Sequence, residues 1–218
     1  MKVTKFAQSC FLIQYKEIRV LIDPGNMQTD DAMINACKNP DLILITHKHA
    51  DHFDEELVKK LISANTKIYS SHEVAEAFSN TNIFPTRENN ILMIGGLNIQ
   101  ATKAIHGYTP LLKGGKEIEE GLGFLIDDGI KTIYHTGDTI SFQNHYACNL
   151  ILLPFNDHGL VMGPFDAALY AKETGATMVV PMHYDNQKYP GDKQKLEEEL
   201  TKNGLKFKWL NNGESIEL

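Results

Sequence analysis

Six consecutive positions, His47 to His52, read HKHADH and hold three histidines and an aspartate. Imidazole and carboxylate are favoured ligands of zinc and related divalent ions, and one tetrahedral site needs only three protein groups plus water. The four groups His47, His49, Asp51 and His52 exceed that need. Two adjacent ions would use them all, provided the rest of the chain supplies more. Three further candidates stand at or just past the end of an apolar run: His106 in AIHGYTP, Asp138 in YHTGDT and His183 in PMHYD. Sheets of α/β proteins place their sites at such strand ends. His72 and His145 stand alone and read as structural or solvated.

The elements that must position these residues follow from the apolar pattern. CFLIQY, RVLIDP, DLILIT, KTIYHTGD, NLILLP and TMVVPMHYD are short, rich in Ile, Val and Leu and bounded by polar or turn residues, which predicts strands. DEELVKKLISAN predicts a helix capped by Asp54, FDAALYAKETGA one running from Asp166 to Gly175, and DKQKLEEELTKNG one from Asp192 to Gly204. ILMIGGLNIQATKAIHGY predicts a hairpin turning at Gly95 and Gly96. Strand and helix alternate, so the class is α/β with mixed sheets. The HKHADH motif then lies between a buried strand, Leu42 to Ile45, and the helix opening at Asp54, a frame rigid enough to aim several side chains at one point. Alternation counted back from Asp138 puts Thr136 and Tyr134 toward the site and His135 opposite, which makes His135 structural. DLILIT and NLILLP look alike, but the match is too short to establish a duplication.

The 218 residues are 42% hydrophobic and 22% charged, which fits one globular domain over 1–218 and excludes disordered and fibrous classes. Twenty-eight acidic residues oppose 21 basic ones, a formal charge of −7, with no basic run, so no long nucleic acid is expected as a partner. Cys10, Cys37 and Cys148 have no C-x-x-C spacing and read as buried thiols. Polar residues interrupt every apolar run near the N-terminus, so no signal core or membrane span is expected, and the cytoplasm is the expected location.

HKHADH followed in order by AIHG, TGDT and PMHYD resembles the metallo-β-lactamase-fold hydrolase superfamily. Within it, SCFLI, VLIDP, TIYHTGDT, LLPFNDHG and VVPMHYD are similar to metal-dependent hydrolases related to ascorbate-6-phosphate lactonase. The resemblance implies a four-layer αβ/βα sandwich of two mixed sheets with helices on the outer faces and a dinuclear site at one edge. It implies that His47, His49 and His106 hold one ion, that Asp51, His52 and His183 hold the other, and that Asp138 bridges them. Asp23 in LIDPG matches an early strand-end aspartate that would orient a ligand histidine. His158 in NDHG falls where relatives carry a histidine near the site, so it and Asp51 are the catalytic candidates beyond metal binding. One departure is AQSCF where relatives read GHSCF, so Gln8 stands in place of a histidine and can supply a hydrogen bond but no titrating group.

The chemistry implied is hydrolysis of a small ester or lactone, with or without a phosphate, by a hydroxide that two divalent ions activate. Zinc is the metal expected, with manganese or iron suited to the same ligands. The alternative is a phosphodiesterase acting on a cyclic nucleotide or other small phosphodiester, or a nuclease. Di-iron oxygen chemistry on this fold is disfavoured, because those relatives carry H-x-E where this chain has His49 and add a flavin domain for which 218 residues leave no room. Antibiotic hydrolysis is disfavoured by the absence of a signal core, and a non-catalytic scaffold by the intact ligand set. Tyr184 and the segment Lys113 to Lys116, with Gly114 and Gly115, are candidates for shaping the substrate mouth. A small-molecule substrate is the expected partner, and a homo-oligomer is compatible with the sequence.

Overall fold

The computed structural model describes residues 1–27, 29–78, 82–108 and 121–218. The candidate mouth segment Lys113 to Lys116 lies outside the described residues. Numbered in chain order, one sheet contains β1 (Lys2–Lys5), β2 (Phe11–Tyr15), β3 (Ile18–Ile22), β4 (Leu42–Ile45), β5 (Lys67–Ser70), β6 (Ile83–Pro85) and β13 (Ser215–Glu217), in the order β13-β1-β2-β3-β4-β5-β6. The other contains β7 (Ile91–Ile94), β8 (Leu97–Ala104), β9 (Gly121–Asp127), β10 (Thr132–His135), β11 (Leu150–Pro154) and β12 (Met178–Met182), in the order β12-β11-β10-β9-β8-β7. Each sheet is an antiparallel meander that continues into parallel strands. β4 and β11, which carry the similar runs LILI and LILLP, are each the first strand to pair in parallel after their meander.

Alternation explains the layers. Val3, Phe11, Ile13, Val20, Ile22, Leu42 and Leu44 of the first sheet face Ile99, Phe124, Ile133, Leu150, Leu152 and Val180 of the second, and this inter-sheet core is fully buried. The opposite face of the first sheet, with Leu21, Ile43 and Ile68, packs on α1 (Asp31–Cys37), α2 (Glu55–Leu61) and α3 (His72–Ala77). That of the second, with Tyr134, Ile151, Leu153 and Val179, packs on α4 (Pro164–Glu173) and α5 (Lys193–Lys202). The result is the four-layer αβ/βα sandwich.

The expected caps at Asp54 and Asp192 form, their carboxylates accepting from the backbone N–H groups of Leu57 and Lys195. Asp166 does not cap α4: Gly163 is the N-cap and Pro164, whose ring presets the helical φ, starts the helix. Pairing fixes strand direction, so β1, β3 and β4 in one sheet run parallel to one another, as do β8, β10, β11 and β12 in the other. The residues just beyond these ends meet at one edge of the sandwich, where Leu122 donates to the Thr46 carbonyl at 3.2 Å and His183 donates to the Gln8 carbonyl at 3.4 Å across the two sheets.

Candidate metal centre

Seven side chains from four strand ends converge at that edge: His47, His49, Asp51 and His52 after β4, His106 after β8, Asp138 after β10 and His183 after β12. Their ligand atoms form three groups, each within 4.8 Å: His47, His49 and His106; His47, His52 and Asp138; and Asp51, His52 and His183. Asp138 lies between the histidines, with Oδ2 at 2.9 Å from His183 Nε2 and 3.6 Å from His106 Nε2, and Oδ1 at 3.2 Å from His52 Nε2. It touches members of both outer groups. Asp51 Oδ2 lies 3.5 Å from His183 Nε2, and the side chain is the more open carboxylate, 24% exposed against 2% for Asp138.

Backbone strain aims part of the set. His183, Asp23 and Gln8 are non-glycine residues in the left-handed region, with φ of 62°, 47° and 56°. Each sits at or just past a strand end and turns its side chain off the strand line. Gly25 brings the loop after β3 against the motif so closely that a Cβ there would overlap the Asp51 carbonyl.

Hydrogen bonds fix which ring nitrogen is available. Asp23 is fully buried and accepts from the Thr46 N–H at 2.8 Å, the Thr46 hydroxyl at 2.7 Å and His52 Nδ1 at 2.7 Å. This holds a proton on Nδ1 and turns Nε2 toward the cluster as the atom that can ligate. His106 Nδ1 donates to the Gly107 carbonyl at 2.7 Å, which leaves its Nε2 in the same condition. His52 Nε2, His106 Nε2 and Asp138 Oδ1 are buried and make no well-formed hydrogen bond, although His52 Nε2 and Asp138 Oδ1 face each other at 3.2 Å. Buried polar atoms are nearly always paired, so three such atoms aimed at one point fit a cation set among them. The donor set is imidazole and carboxylate throughout, which suits zinc, manganese and iron.

In the metal-free protein the cluster divides electrostatically. Burial and the neighbouring His52 push His47 well below the usual histidine range, and burial with His106 and His52 brings His49 down to about 4. Burial opposes charge on His52 and His183 too, but Asp138 and the other carboxylates overcome it, raising His52 well above its ordinary value and His183 to about 9. Burial raises Asp138, and the charges of His183 and His52 outweigh it, holding the carboxyl well below its usual range. Asp51 is held low in the same way by His52 and His183.

His158 is not brought into the cluster. Asp157, with φ of 65°, turns the chain, and His158 Nε2 faces the Pro190 carbonyl at 3.3 Å with its ring against Tyr189. Asn156 takes the place nearer the site, its Nδ2 at 3.4 Å from His183 Nδ1 and its Oδ1 accepting from the His158 N–H at 2.9 Å. Tyr184 does not shape a mouth either: it is buried against Phe155 and Trp209, and its hydroxyl donates to the Leu210 carbonyl. Tyr134 faces α4, where its hydroxyl meets that of Tyr170, and not the site. His135 lies on the inter-sheet side against Phe11, donating to the Ser9 carbonyl and accepting from the Gly137 N–H, so it is structural although the two faces are reversed. His72 and His145 are exposed and outside the cluster. A cavity of about 310 Å³ opens over the ligands, and Asn26, Met27, Leu160, Asn186 and Tyr189 complete its described wall. Sequence reasoning did not find these residues, because they lie on loops without periodicity.

Comparison with known proteins gives the family. The beta-lactamase superfamily domain matches residues 2–183. A UPF0173 metal-dependent hydrolase of Korarchaeum cryptofilum is 32% identical over 100% of both chains, and one of Methanoculleus marisnigri is 32% identical over 100% of this chain and 97% of its own. Among solved structures, Igni18, a metallo hydrolase from Ignicoccus hospitalis, superposes with a TM-score of 0.80 at 26% identity, covering 100% of this chain and 98% of that one. The chain belongs to the UPF0173 metal-dependent hydrolase family of the beta-lactamase superfamily. Among the described residues, no helix is long and apolar enough to cross a membrane.

Proposed function

We propose that this protein hydrolyses a small ester or lactone with the help of two divalent cations, zinc by preference and manganese or iron as substitutes. His47, His49 and His106 would hold one, Asp51, His52 and His183 the other, and Asp138 both. The observation that carries the reading is the trio of buried ligand atoms without a well-formed hydrogen bond, His52 Nε2, His106 Nε2 and Asp138 Oδ1, inside a set of seven ligand-type side chains. Bound there, such ions acidify water and polarise the electrophile.

The chain's own groups do the rest. Asp51, the carboxylate most open to the cavity, accepts a hydrogen bond from the attacking water and orients it. Asp23 keeps the His52 proton on Nδ1, and Asn156 steadies the His183 ring. The water oxygen bonds to the carbonyl carbon, the bond to the leaving oxygen breaks, and the proton the water gives up passes by way of Asp51 to that leaving oxygen; a cavity of about 310 Å³ suits a small molecule. No lysine or arginine lines the described wall, and its polar residues beyond the ligands are Asn26, Asn156, Asn186 and Tyr189. Neutral polar substrates therefore fit better than polynucleotides. A small phosphodiester remains the alternative, since the same two cations would offset its charge.

The test is a rate panel on one lactone, one phosphomonoester and one phosphodiester, with Zn²⁺ and Mn²⁺ supplied to metal-free protein. Lactone turnover that appears only with metal supports the reading, phosphodiester turnover promotes the alternative, and metal-independent turnover overturns both.

A further inference from the structure

Gln8 is fully buried, carries φ of 56° and is not one of the ligands, yet it contacts two members of one ligand group. Its side-chain Nε2 donates to Asp51 Oδ2 at 3.0 Å. Its backbone carbonyl accepts from the His183 N–H at 3.4 Å. Asp51 and His183 belong with His52 to the second group, and no bond runs from Gln8 to His47, His49 or His106 among the described contacts. The oxygen that Gln8 grips is the one facing His183 and His52, at 3.5 and 3.9 Å.

Behind Gln8 stands an ion pair whose lysine is buried and whose aspartate is partly exposed. Asp185 Oδ2 accepts from the Gln8 N–H at 3.1 Å and from Lys5 Nζ at 2.6 Å. Lys5 is 1% exposed, and its ammonium also donates to the Phe6 carbonyl at 2.8 Å. Desolvating an ammonium is costly unless it is paired and hydrogen-bonded, and here the pairing ties the end of β1 to the segment after β12. Two left-handed residues, Gln8 and His183, are thereby clamped face to face at the junction of the two sheets.

We propose that Lys5, Asp185 and Gln8 form a positioning line that sets Asp51 and His183, and so determines the affinity and geometry of the second cation position without touching the first. The proposal rests on the two-ion reading given above. A strained, buried residue persists only where its surroundings over-determine it, and outer groups that orient ligands change metal affinity by about 10–100-fold when removed. Gln8→Leu deletes the donor to Asp51, keeps the volume and leaves both backbone bonds in place. Asp185→Asn keeps an acceptor for the Gln8 N–H but removes the charge that pairs Lys5.

The experiment is titration of metal-free, full-length protein with Co²⁺, following the visible d–d absorption and the heat of each equivalent. In Gln8→Leu the first equivalent should bind as in the parent, while the second weakens about 10–100-fold and its absorption shifts, whatever small drop in melting temperature the lost bond to Asp51 brings to the metal-free protein. Asp185→Asn should weaken the second equivalent less than Gln8→Leu does. A parent that binds two equivalents alongside a Gln8→Leu variant with the same second affinity and spectrum overturns the positioning line alone. Equal weakening of both equivalents with a lowered melting temperature also overturns it, by making Gln8 a general structural residue. A parent that binds fewer than two equivalents overturns the two-ion reading and the line with it.

Discussion

Asp23→Asn is the substitution whose consequence follows most directly from the geometry. Asparagine tolerates the φ of 47° at this position, so the backbone stays as it is. Its side-chain oxygen can go on accepting from the Thr46 N–H, now 2.8 Å from Asp23 Oδ1. The amide nitrogen then falls where Oδ2 lies 2.7 Å from both the Thr46 hydroxyl and His52 Nδ1. The hydroxyl can rotate and accept. The imidazole cannot keep its proton on Nδ1 against an N–H donor, so the proton moves to Nε2, the atom that faces Asp138 at 3.2 Å. A protonated Nε2 is no ligand. The affinity of the cation position shared with Asp51 and His183 should fall about 10–100-fold, or about 1.4–2.8 kcal/mol. The lost hydrogen bond to a buried carboxylate should also cost about 1.5–3 kcal/mol of stability in the metal-free protein. Calorimetric metal titration gives the affinity, and ¹⁵N chemical shifts of the His52 ring give the tautomer. A second equivalent bound as tightly as in the parent, with the His52 proton still on Nδ1, would refute the reasoning.

Other outcomes follow from the same structure. The carboxylates around His183 raise it to about 9, so the metal-free protein holds that proton at neutral pH and releases it when a cation binds. Affinity should climb from pH 7 toward pH 9, and binding heats measured in buffers of different ionisation enthalpy should differ. The stability of the metal-free protein should run the other way, because a raised histidine contributes fully below its unfolded value near 6.5 and loses that contribution as pH passes about 9; melts across that window check the sign. Gly25→Ala forces the loop off the Asp51 carbonyl and should destabilise by roughly 1–3 kcal/mol, a drop of about 2–12 °C in melting temperature. His158→Ala should leave metal uptake unchanged and lower turnover less than about tenfold, the smaller end of general acid–base effects being 10²; a larger loss would show that the ring swings into the site. Cys10, Cys37 and Cys148 are all buried, and burial pushes the Cys37 and Cys148 thiols up to about 12 and about 11. A thiol reagent at pH 8 should therefore leave the native protein almost unlabelled and modify all three in denaturant.

The cluster of ligand-type side chains was legible because residue type and spacing carry it, and the strand ends were legible because the apolar runs stop sharply beside it. The two short outer helices α1 and α3, of seven and six residues, gave no periodic signal long enough to read. The start of α4 was misplaced because Asp166 is a good capping type, although Pro164 marks the first turn. Left-handed residues account for two misplacements, one from extrapolated alternation and one from adjacency to a site residue. Gly137, with φ of 63°, lies between His135 and Asp138 and inverts the faces counted from Asp138, while His183 turns Tyr184 into the outer core. The bond from Asp23 to His52 spans 29 positions, and likeness to a family, not spacing, pointed to it. Gln8 was visible only as a departure, and its grip on Asp51 and His183 needed the two sheets to be brought together.

The most direct test of the central claim is the rate of lactone hydrolysis by metal-free protein as Zn²⁺ is added in fractions of an equivalent. Seven convergent ligand-type side chains, with Asp138 reaching toward members of both outer groups, predict no turnover without metal and a rise that levels off at two equivalents. Turnover without metal, or a plateau at one equivalent, would contradict the account.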